Sequence, residues 1–437
     1  MEKDNRANFG SKLGIILATA GSAVGLGNIW RFPYMTGDNG GAAFIFVYIM
    51  CVFLLGIPCI VNEFIIGRYS ASNTARAYRK LSNGTPWAII GYIGVLTGFL
   101  VTSYYSVVSG WCLQYIYASA AGHLKGDPQF FASYFADFEK DPIKPVIWAV
   151  VILVITHLII IRGVKEGIEK ASKALMPALF VILIILVVSA CMLPNAWEGI
   201  EFLFKPDFSK VSKDLFLGAL GQAFFSLSIG MGCLCTFASY FTKDTDLTNS
   251  AVQISVIDTV VAILAGLLIF PAAFSIGVSP DSGPSLIFIT LPNVFEQAFS
   301  GVPIIGYIVA ICFYILLSLA ALTSLISLHE VSTAFLHEEM NINRKTAATI
   351  VTVICSVIAA LCSLSLSDWD AISIGGKPLF DILDYFVGWY LPKKIVRDEY
   401  TNYGSMRGKF FNIYLSCVKY LCPTLILLIF LHQMGVI

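Results

Sequence analysis

The sequence predicts an all-α polytopic membrane protein, and three observations lead to that fold class. Hydrophobic residues make up 57% of the 437 residues and charged residues only 13%, whereas about a quarter of a soluble globular protein is charged. The mean hydropathy is +0.78. Apolar stretches of membrane-spanning length recur along the chain, and two of them are interrupted by glycine and polar residues.

Taken in order, ten apolar stretches are long enough to cross a bilayer. Each is expected to form a helix, because backbone in hydrocarbon must satisfy its own hydrogen bonds. These stretches are 11–35, 42–66, 87–121, 145–161, 174–193, 215–241, 250–278, 302–335, 346–366 and 411–433. An eleventh apolar stretch, 380–392, is short. We therefore expect eleven spans, with the tenth shortened.

The first stretch carries residues that oppose a continuous helix. Gly21, Gly25 and Gly27 each weaken a helix by about 1 kcal/mol relative to alanine, and Asn28 adds a polar side chain at membrane depth. Irregular backbone survives in hydrocarbon only where it lines a cavity or binds a ligand, so the pattern indicates a broken span and a binding site. The alternative is that Gly21 and Gly25 only let a neighbouring helix approach closely, which leaves Gly27 and Asn28 unexplained.

Lysine and arginine residues set the predicted orientation, because they accumulate in cytoplasmic loops. With the amino terminus inside, the inner segments hold 19 of them and the outer loops hold 7. That distribution requires a crossing at 380–392, yet its thirteen residues rise only about 20 Å against a hydrocarbon core of about 30 Å. Either the segment is re-entrant or thins the bilayer, or chain is missing between Tyr385 and Trp389, and we favour missing chain over a natural truncation.

The sixth stretch is interrupted in the same way as the first. Gln222, Ser226 and Ser228 lie beside Gly230 and Gly232 in its middle. Interruptions five spans apart fit an inverted five-plus-five repeat, in which each half contributes one discontinuous helix. We predict one transmembrane domain over 1–437. Its first repeat covers 11–193, its second repeat covers 215–392, and an additional span lies at 411–433. Peptide groups at such breaks can bind an anion with N–H groups and cations with carbonyl groups.

Five motifs resemble the neurotransmitter:sodium symporter family. They are GSAVGLGNIWRFP, NGGAAF, EFIIGRY, GQAFFSLSIGMG and LAALTS. The resemblance runs from about Arg6 to Tyr385 and returns in the last span, and it is closest to the bacterial eleven-span branch. It implies a leucine-transporter-like fold and a symporter that uses sodium to import an amino acid by alternating access.

The resemblance also implies which residues bind two sodium ions, which prefer hard oxygen ligands. The first sodium site maps to Ala23, Asn28, Ser226 and Asp258. The second maps to Gly21, Val24, Ala320, Thr323 and Ser324. For Thr323 and Ser324 the alternative is a hydroxyl that bonds only to a carbonyl one turn earlier in its own helix.

Substrate and gate residues follow from the same resemblance. The substrate-binding residues implied are Ala23, Leu26, Gly27, Val101, Tyr105, Phe225, Ser226, Ser228, Met231, Ser324 and Leu328. The amides of Leu26 and Gly27 are expected to meet a carboxylate, and the apolar pocket with its adaptable Met231 favours a large hydrophobic or aromatic amino acid. The outer gate maps to Arg31, Asp384, Tyr105 and Phe225. The inner gate maps to Arg6, Phe9, Ser239, Tyr240 and Glu338, with Phe9 where the family usually has tryptophan.

Three further residues match family features at the ends of spans or inside them. Gly167 and Pro177 match a pair that loosens the inner end of the fifth helix, and Glu63 is expected to brace the broken sixth helix.

Asp258 is an ionisable residue deep in a span, which marks a functional site. Animal members of the family bind chloride near this level, and a protein carboxylate could replace it. The family position maps to Asp258 or to Ala262, which shares its helix face. We therefore expect that chloride is not required.

Other functions receive little support from the sequence. The net charge of zero gives no reason to expect a nucleic-acid partner, the cysteines and histidines are scattered, and the amino terminus does not resemble a removable signal peptide. We expect no catalytic residues, no phosphate-binding loop and hence no enzyme, in a multi-pass protein of the plasma membrane that is a monomer or weak dimer. A channel and an intramembrane hydrolase are disfavoured. The remaining alternative is a sodium-dependent amino-acid receptor without net transport.

Overall fold

The computed structural model describes residues 7–277, 286–299 and 301–367, and the backbone of two paired two-residue strands, Ser373–Ile374 (β1) and Lys377–Pro378 (β2). Apart from those strands, the regular structure in these ranges is helical. Several predicted features lie outside the described residues. They are the segments 380–392 and 411–433, Arg6 and Asp384.

The described residues form fifteen helices. They are α1 (Lys12–Ala23), α2 (Gly27–Asp38), α3 (Ala42–Ser70), α4 (Thr74–Leu81), α5 (Pro86–Ala120), α6 (Pro128–Lys140), α7 (Lys144–Ile160), α8 (Val164–Cys191), α9 (Ala196–Phe204), α10 (Lys213–Ser226), α11 (Cys233–Ala238), α12 (Leu247–Ser275), α13 (Leu291–Ala298), α14 (Pro303–Glu339) and α15 (Arg344–Leu366). Short 3₁₀ turns lie at Pro86–Ala88 and Phe208–Lys210.

Six of these helices are long and apolar enough to cross a membrane, namely α3, α5, α8, α12, α14 and α15. Two bent pairs, α1 with α2 and α6 with α7, also pass that test when each pair is taken together. Buried side chains line the inner faces of these helices, while large apolar side chains such as Phe53, Ile184 and Val353 stay exposed on the outside. This distribution is typical of a bundle whose surrounding solvent is lipid.

Both predicted interruptions are present. The axis bends by 52° between α1 and α2, and the backbone from Val24 to Gly25 is not helical. Residues 227–232 separate α10 from α11, with positive φ at Ser228, Gly230 and Gly232. The prediction of an all-α fold with discontinuous first and sixth spans is therefore confirmed.

Four π-helical turns interrupt the α-helical regularity of the described chain. They are Gly27–Arg31 at the start of α2, Val52–Gly56 inside α3, Val164–Glu169 at the start of α8, and Leu286–Thr290 before α13. Such turns are rare and concentrate at functional sites. The first directly follows the break in the first span, and the third opens the fifth span.

Close helix contacts hold the two broken spans against their neighbours. Helix α3 packs on α11, and α1 packs on α14. Where α3 crosses α11, a Cβ atom at Gly67 would overlap the backbone carbonyl of Cys235, so only glycine allows the observed approach. This crossing fixes the inner half of the sixth span.

The substitution Gly67→Ala tests the importance of this contact. The added methyl group must push α3 away from α11, and we expect a loss of stability of about 1–3 kcal/mol, as is usual for overpacking. The loss would be measured as a lower temperature of thermal unfolding for the purified protein in detergent. Gly221→Ala is the matched control, because a Cβ atom at Gly221 has open space around it. Equal melting temperatures for the two variants would contradict the prediction.

Candidate functional site

The break in the first span exposes peptide groups that side chains from elsewhere in the chain satisfy. The amide of Gly25 donates to the side-chain oxygen of Asn28 at 2.9 Å, and the amide of Leu26 donates to the Tyr105 hydroxyl at 2.9 Å. The Val24 carbonyl accepts from the hydroxyls of Thr323, at 3.3 Å, and Ser324. These bonds replace the helical ladder where it stops, which is what stabilises irregular backbone at this depth.

The break in the sixth span is braced from the inner side of the protein. The amide of Gly230 donates to the Glu63 carboxylate at 2.6 Å, and the Gly232 carbonyl accepts from the Thr74 hydroxyl at 3.0 Å. Glu63 is buried on α3, and Thr74 is buried at the start of α4. Glu63 thus contacts the broken sixth helix, in agreement with the contact expected from the sequence.

Direct hydrogen bonds join the two breaks to each other. The Ser228 hydroxyl donates to the Ser22 carbonyl at 2.8 Å, and the side-chain amide of Gln222 donates to the Gly27 carbonyl at 3.3 Å. The Asn28 side-chain amide donates to the Ser226 hydroxyl at 3.1 Å. Residues about 200 positions apart in the chain therefore form one polar centre.

Asp258 lies at the middle of that centre and is fully buried on α12. Its carboxylate accepts from the Asn28 amide at 2.7 Å, from the Ser226 hydroxyl at 2.9 and 3.0 Å, and from the Tyr48 hydroxyl at 3.2 Å. Burying a carboxylate in a low-dielectric interior is costly, so the donors around it are what allow it to be there. The result is a fixed acidic group beside both breaks.

The residues expected for the first sodium site lie together around this carboxylate. Asn28, Ser226 and Asp258 form mutual hydrogen bonds, and Ala23 ends α1 five residues before Asn28. Carboxylate, amide and hydroxyl oxygens are hard ligands of the kind that sodium prefers. The arrangement has the chemistry of a cation site.

The residues expected for the second sodium site meet where α1 ends against α14. Thr323 donates to the carbonyls of Ala320, at 3.0 Å, and Leu319, at 3.2 Å, as well as to that of Val24. A Cβ atom at Gly21 would lie 3.2 Å from the Cβ atom of Thr323. The threonine hydroxyl thus makes the local back-bond that the alternative interpretation expected, and it also reaches the first span.

The predicted substrate-binding residues surround the break in the first span. At Gly25 a Cβ atom would lie 2.5 Å from the Ser324 hydroxyl oxygen and 3.0 Å from that of Tyr105, so glycine leaves room between α5 and α14. The Met231 carbonyl faces Gly98 of α5. Val101 and Leu328 are buried on α5 and α14. The Ser228 hydroxyl donates to the Ser22 carbonyl, and its oxygen keeps lone pairs that can accept from an ammonium group.

On the outer side, an aromatic ring covers the break. The guanidinium carbon of Arg31 lies 4.6 Å from the centroid of the Phe225 ring, a cation–π contact. The same ring is so close to Gly27 that a Cβ atom there would lie 2.8 Å from it. Two members of the predicted outer gate, Arg31 and Phe225, are therefore in contact, whereas Asp384 lies outside the described residues.

On the inner side, Phe9 seals the end of the sixth span. Its ring packs edge-on against Phe237 and Tyr240, with centroids 5.9 and 6.2 Å apart, and is 5% exposed. The Phe9 amide donates to the Tyr240 carbonyl at 3.2 Å. Phe9 therefore contacts Tyr240, another residue of the predicted inner gate, through both its ring and its amide. The Ser239 hydroxyl donates to the Thr236 carbonyl one turn earlier, and Arg6 lies outside the described residues.

Glu330 and Glu338 lie about two turns apart on α14 and have different partners. The Glu338 carboxylate accepts from the backbone and side-chain amides of Asn73 at 2.8 and 3.0 Å. Glu330, fully buried, accepts two bonds from the Arg344 guanidinium at 2.5 and 2.8 Å and one from the Tyr240 hydroxyl at 2.6 Å. A buried ion pair therefore ties the inner end of the sixth span to α14 and α15.

Sequence reasoning missed three residues of these networks. Glu330 carried the same signal as Asp258, an ionisable group inside a span, and could have been found by it. Gln222 was noticed as a polar residue of the second break, but its bond to the first break was not foreseen. Tyr48 carried no signal, because tyrosines are common in spans and its contact with Asp258 depends on how α3 packs.

Comparison with known proteins matches the sodium:neurotransmitter symporter family over residues 6–128 and 129–393. The uncharacterized sodium-dependent transporter YhdH of Bacillus subtilis (strain 168) is 37% identical over 455 aligned positions that cover 100% of each chain. The sodium- and chloride-dependent GABA transporter 2 of Homo sapiens is 26% identical, covering 87% of this chain and 69% of its own.

A solved structure has the same fold. The crystal structure of MhsT in complex with L-phenylalanine superposes with a TM-score of 0.86 and is 39% identical in sequence. The match covers 98% of this chain and 99% of MhsT. The helix order described above is therefore shared with a protein that was crystallised with an amino acid.

The Thr323→Val variant tests the second cation site. Valine keeps the shape of threonine but removes the hydroxyl that reaches Val24. We therefore expect the sodium concentration that gives half-maximal thermal stabilisation to rise about tenfold. Sodium-dependent thermal stabilisation of the purified protein, titrated at constant ionic strength with N-methylglucamine, provides the measurement.

Thr349→Val is the matched control for this titration. Thr349 is exposed on α15, and its hydroxyl makes only the local bond to the Lys345 carbonyl. Its sodium titration should match that of the unmodified protein. If Thr323→Val titrates like Thr349→Val, Thr323 does not bind sodium.

Proposed function

The chain belongs to the sodium:neurotransmitter symporter family, and on this premise we propose that it imports a large hydrophobic or aromatic amino acid together with two sodium ions. Sodium-coupled symport of an amino acid is the activity of the chain. Our proposal concerns the side chain of the substrate, the number of sodium ions and the residues that form the gates. The main observation in support of this proposal is that two discontinuous helices meet at one buried polar centre, where peptide groups, hydroxyls and a carboxylate converge.

The polar centre offers complementary groups to a zwitterion. The amides of Leu26 and Gly27, at the start of α2, lie where partial positive charge accumulates at a helix amino end, which favours a substrate carboxylate. The Tyr105 hydroxyl, which already contacts the Leu26 amide, can donate its own proton to that carboxylate. We propose that carbonyls of Ala23, Phe225 and Ser226 accept from the ammonium group. The amino-acid backbone is thus held whatever its side chain.

The surroundings of the substrate side chain favour an apolar substrate. Val101 lies on α5, Leu328 on α14 and Met231 in the break of the sixth span. We propose that these elements border the substrate pocket and that the Phe225 ring covers it. Burying apolar surface favours binding by about 25 cal/mol per Å². The crystallised complex of MhsT with L-phenylalanine supports this substrate class.

Sodium gradients supply enough free energy for accumulation. One sodium ion that moves down about 100 mV and a tenfold gradient releases about 3.7 kcal/mol, and two release about 7 kcal/mol. That free energy corresponds to a substrate concentration ratio of about five orders of magnitude. We infer that transport proceeds by alternating access, with sodium favouring the state in which the inner side is closed at Phe9 and the inner gate opening after substrate has bound.

Orientation and location follow from the charge distribution. The excess of lysine and arginine on one side favours a cytoplasmic amino terminus and a multi-pass protein of the plasma membrane. We propose a monomer or weak dimer as the transporting unit.

Uptake into proteoliposomes tests the function. Purified protein is reconstituted with potassium inside and sodium outside, valinomycin sets an inside-negative potential, and labelled phenylalanine, leucine and glycine are compared. We expect saturable accumulation of phenylalanine or leucine well above glycine, and loss of accumulation when N-methylglucamine replaces sodium. Sodium-dependent binding without accumulation would indicate a receptor, and non-saturating flux would indicate a channel.

Chloride replacement tests the proposed role of Asp258. The buried carboxylate supplies the negative charge that offsets sodium, so uptake by the unmodified protein should be unchanged when gluconate replaces chloride. In Asp258→Asn that charge is absent, and we expect uptake in gluconate to fall at least about tenfold and to recover partly with chloride. Uptake by the unmodified protein that stops in gluconate would refute the role.

Asp38→Asn controls for a change of net charge. Asp38 is exposed at the end of α2, on the outer side of the break. This variant makes the same change from carboxylate to amide without altering the buried centre. Its uptake should remain independent of chloride.

A further inference from the structure

Glu169 is a buried carboxylate that none of the sites described above uses. It lies at the start of the fifth span and is 3% exposed. One of its oxygens accepts the Gly10 amide at 2.6 Å, and the other accepts the Ser11 hydroxyl at 2.8 Å. The Lys173 ammonium one turn later pairs with the same carboxylate at 2.6 Å. Two elements more than 150 residues apart are therefore joined by charge-assisted hydrogen bonds.

The first-span side of this contact is built around the carboxylate. Gly10 and Ser11 directly precede α1, and the Ser11 hydroxyl oxygen also caps α1 by accepting the Gly14 amide at 3.0 Å. A Cβ atom at Gly14 would overlap the Glu169 carboxylate and its Cγ atom. Only glycine at position 14 therefore leaves space for the carboxylate in its observed position.

The fifth-span side of the contact is a segment with irregular backbone. Glu169 is the last residue of the π-helical turn Val164–Glu169, which follows Gly163 at φ +84°. A π-helical turn lacks the regular i to i+4 bonding of the α-helix that follows it. A change in this turn would move Glu169 relative to α1 before it disturbed the rest of α8.

We propose that Glu169 is a latch that ties the inner half of the first span to the inner end of the fifth span and keeps the inner side closed until this contact breaks. Helix α1 ends at the proposed sodium sites, and the chain just before it carries Phe9, which seals the inner side. A path from the substrate to the inner side therefore requires α1 to move, and α1 cannot move while Glu169 holds Gly10 and Ser11. Glu169 acts through α1 and is a positioning residue. This inference rests on the proposed alternating-access transport.

Hydrogen exchange of the backbone amides in residues 7–14 tests the latch directly. In the purified, sodium-bound protein we expect Glu169→Gln to exchange this segment about tenfold faster, because the carboxylate that holds the Gly10 amide is lost. The sodium concentration for half-maximal protection of the segment should rise by about the same factor, since sodium must then oppose an easier opening. Neither measurement needs transport, so a failure of the latch and a failure of the proposed function can be told apart.

Two charge variants serve as controls. Glu166→Gln removes the same charge from an exposed side chain in the same turn and should leave exchange unchanged. Lys173→Met removes the cation but keeps the bonds from Glu169 to Gly10 and Ser11, so exchange should not become faster. If residues 7–14 exchanged as fast in Lys173→Met as in Glu169→Gln, the ion pair, and not the latch, would hold the segment.

A double-mutant cycle tests the contact between Gly14 and Glu169. Gly14→Ala alone should accelerate exchange like Glu169→Gln, because the new methyl group displaces the carboxylate. In a Glu169→Ala background the same change should have little further effect, since the atoms with which it collides are gone. Equal effects of Gly14→Ala in both backgrounds, or exchange in Glu169→Gln equal to that in Glu166→Gln, would overturn the proposal.

Discussion

The cost of an unsatisfied peptide group inside the membrane is the constraint on which this structure depends. A free N–H or C=O in hydrocarbon costs several kcal/mol, so two interrupted helices at that depth are possible only if other groups complete their hydrogen bonds. Here the two breaks complete each other, through Ser228 with Ser22 and Gln222 with Gly27. Side chains from the surrounding helices, Tyr105 and Glu63 among them, satisfy further backbone amides. The binding centre and the stability of the fold are therefore one set of interactions.

Buried carboxylates perform distinct tasks because their partners differ. Asp258 is surrounded by neutral donors, and we propose that its carboxylate serves cations at the centre. Glu63 accepts a backbone amide and so braces the broken sixth helix. Glu330 is neutralised by the bidentate Arg344 and ties the sixth span to the eighth and ninth. Since removing one member of a buried pair leaves the other charge uncompensated, substitutions at these sites should differ in effect even though all of them remove a carboxylate.

In the proposed alternating-access mechanism, the contacts on the inner side connect elements that separate during transport. Tyr240 binds Glu330 from the end of the sixth span, and Phe9 packs beneath it. Glu169 holds the start of α1 from the fifth span. These contacts are polar and local, so each can be broken without unpacking the apolar helix faces. A small number of such contacts is sufficient to set the balance between a closed and an open inner side, because an equilibrium between two conformations shifts tenfold for each 1.4 kcal/mol.

The sequence by itself determined the helical class, the order of the spans and the two interruptions, because hydrophobic length and glycine clusters at Gly21–Gly27 and Gly230–Gly232 act locally on the backbone. It also singled out Asp258, since a charged residue inside an apolar stretch is visible without any contact. Residue motifs proposed Asn28, Ser226 and Thr323 as cation ligands, and only the tertiary structure gave the distances between them and their neighbours. Only the tertiary structure decided that Tyr48 reaches Asp258, that Arg344 neutralises Glu330 and that Glu169 holds Gly10. These pairs lie 14 to 210 residues apart on different segments of the chain, and which of them meet depends on helix packing that no local pattern encodes.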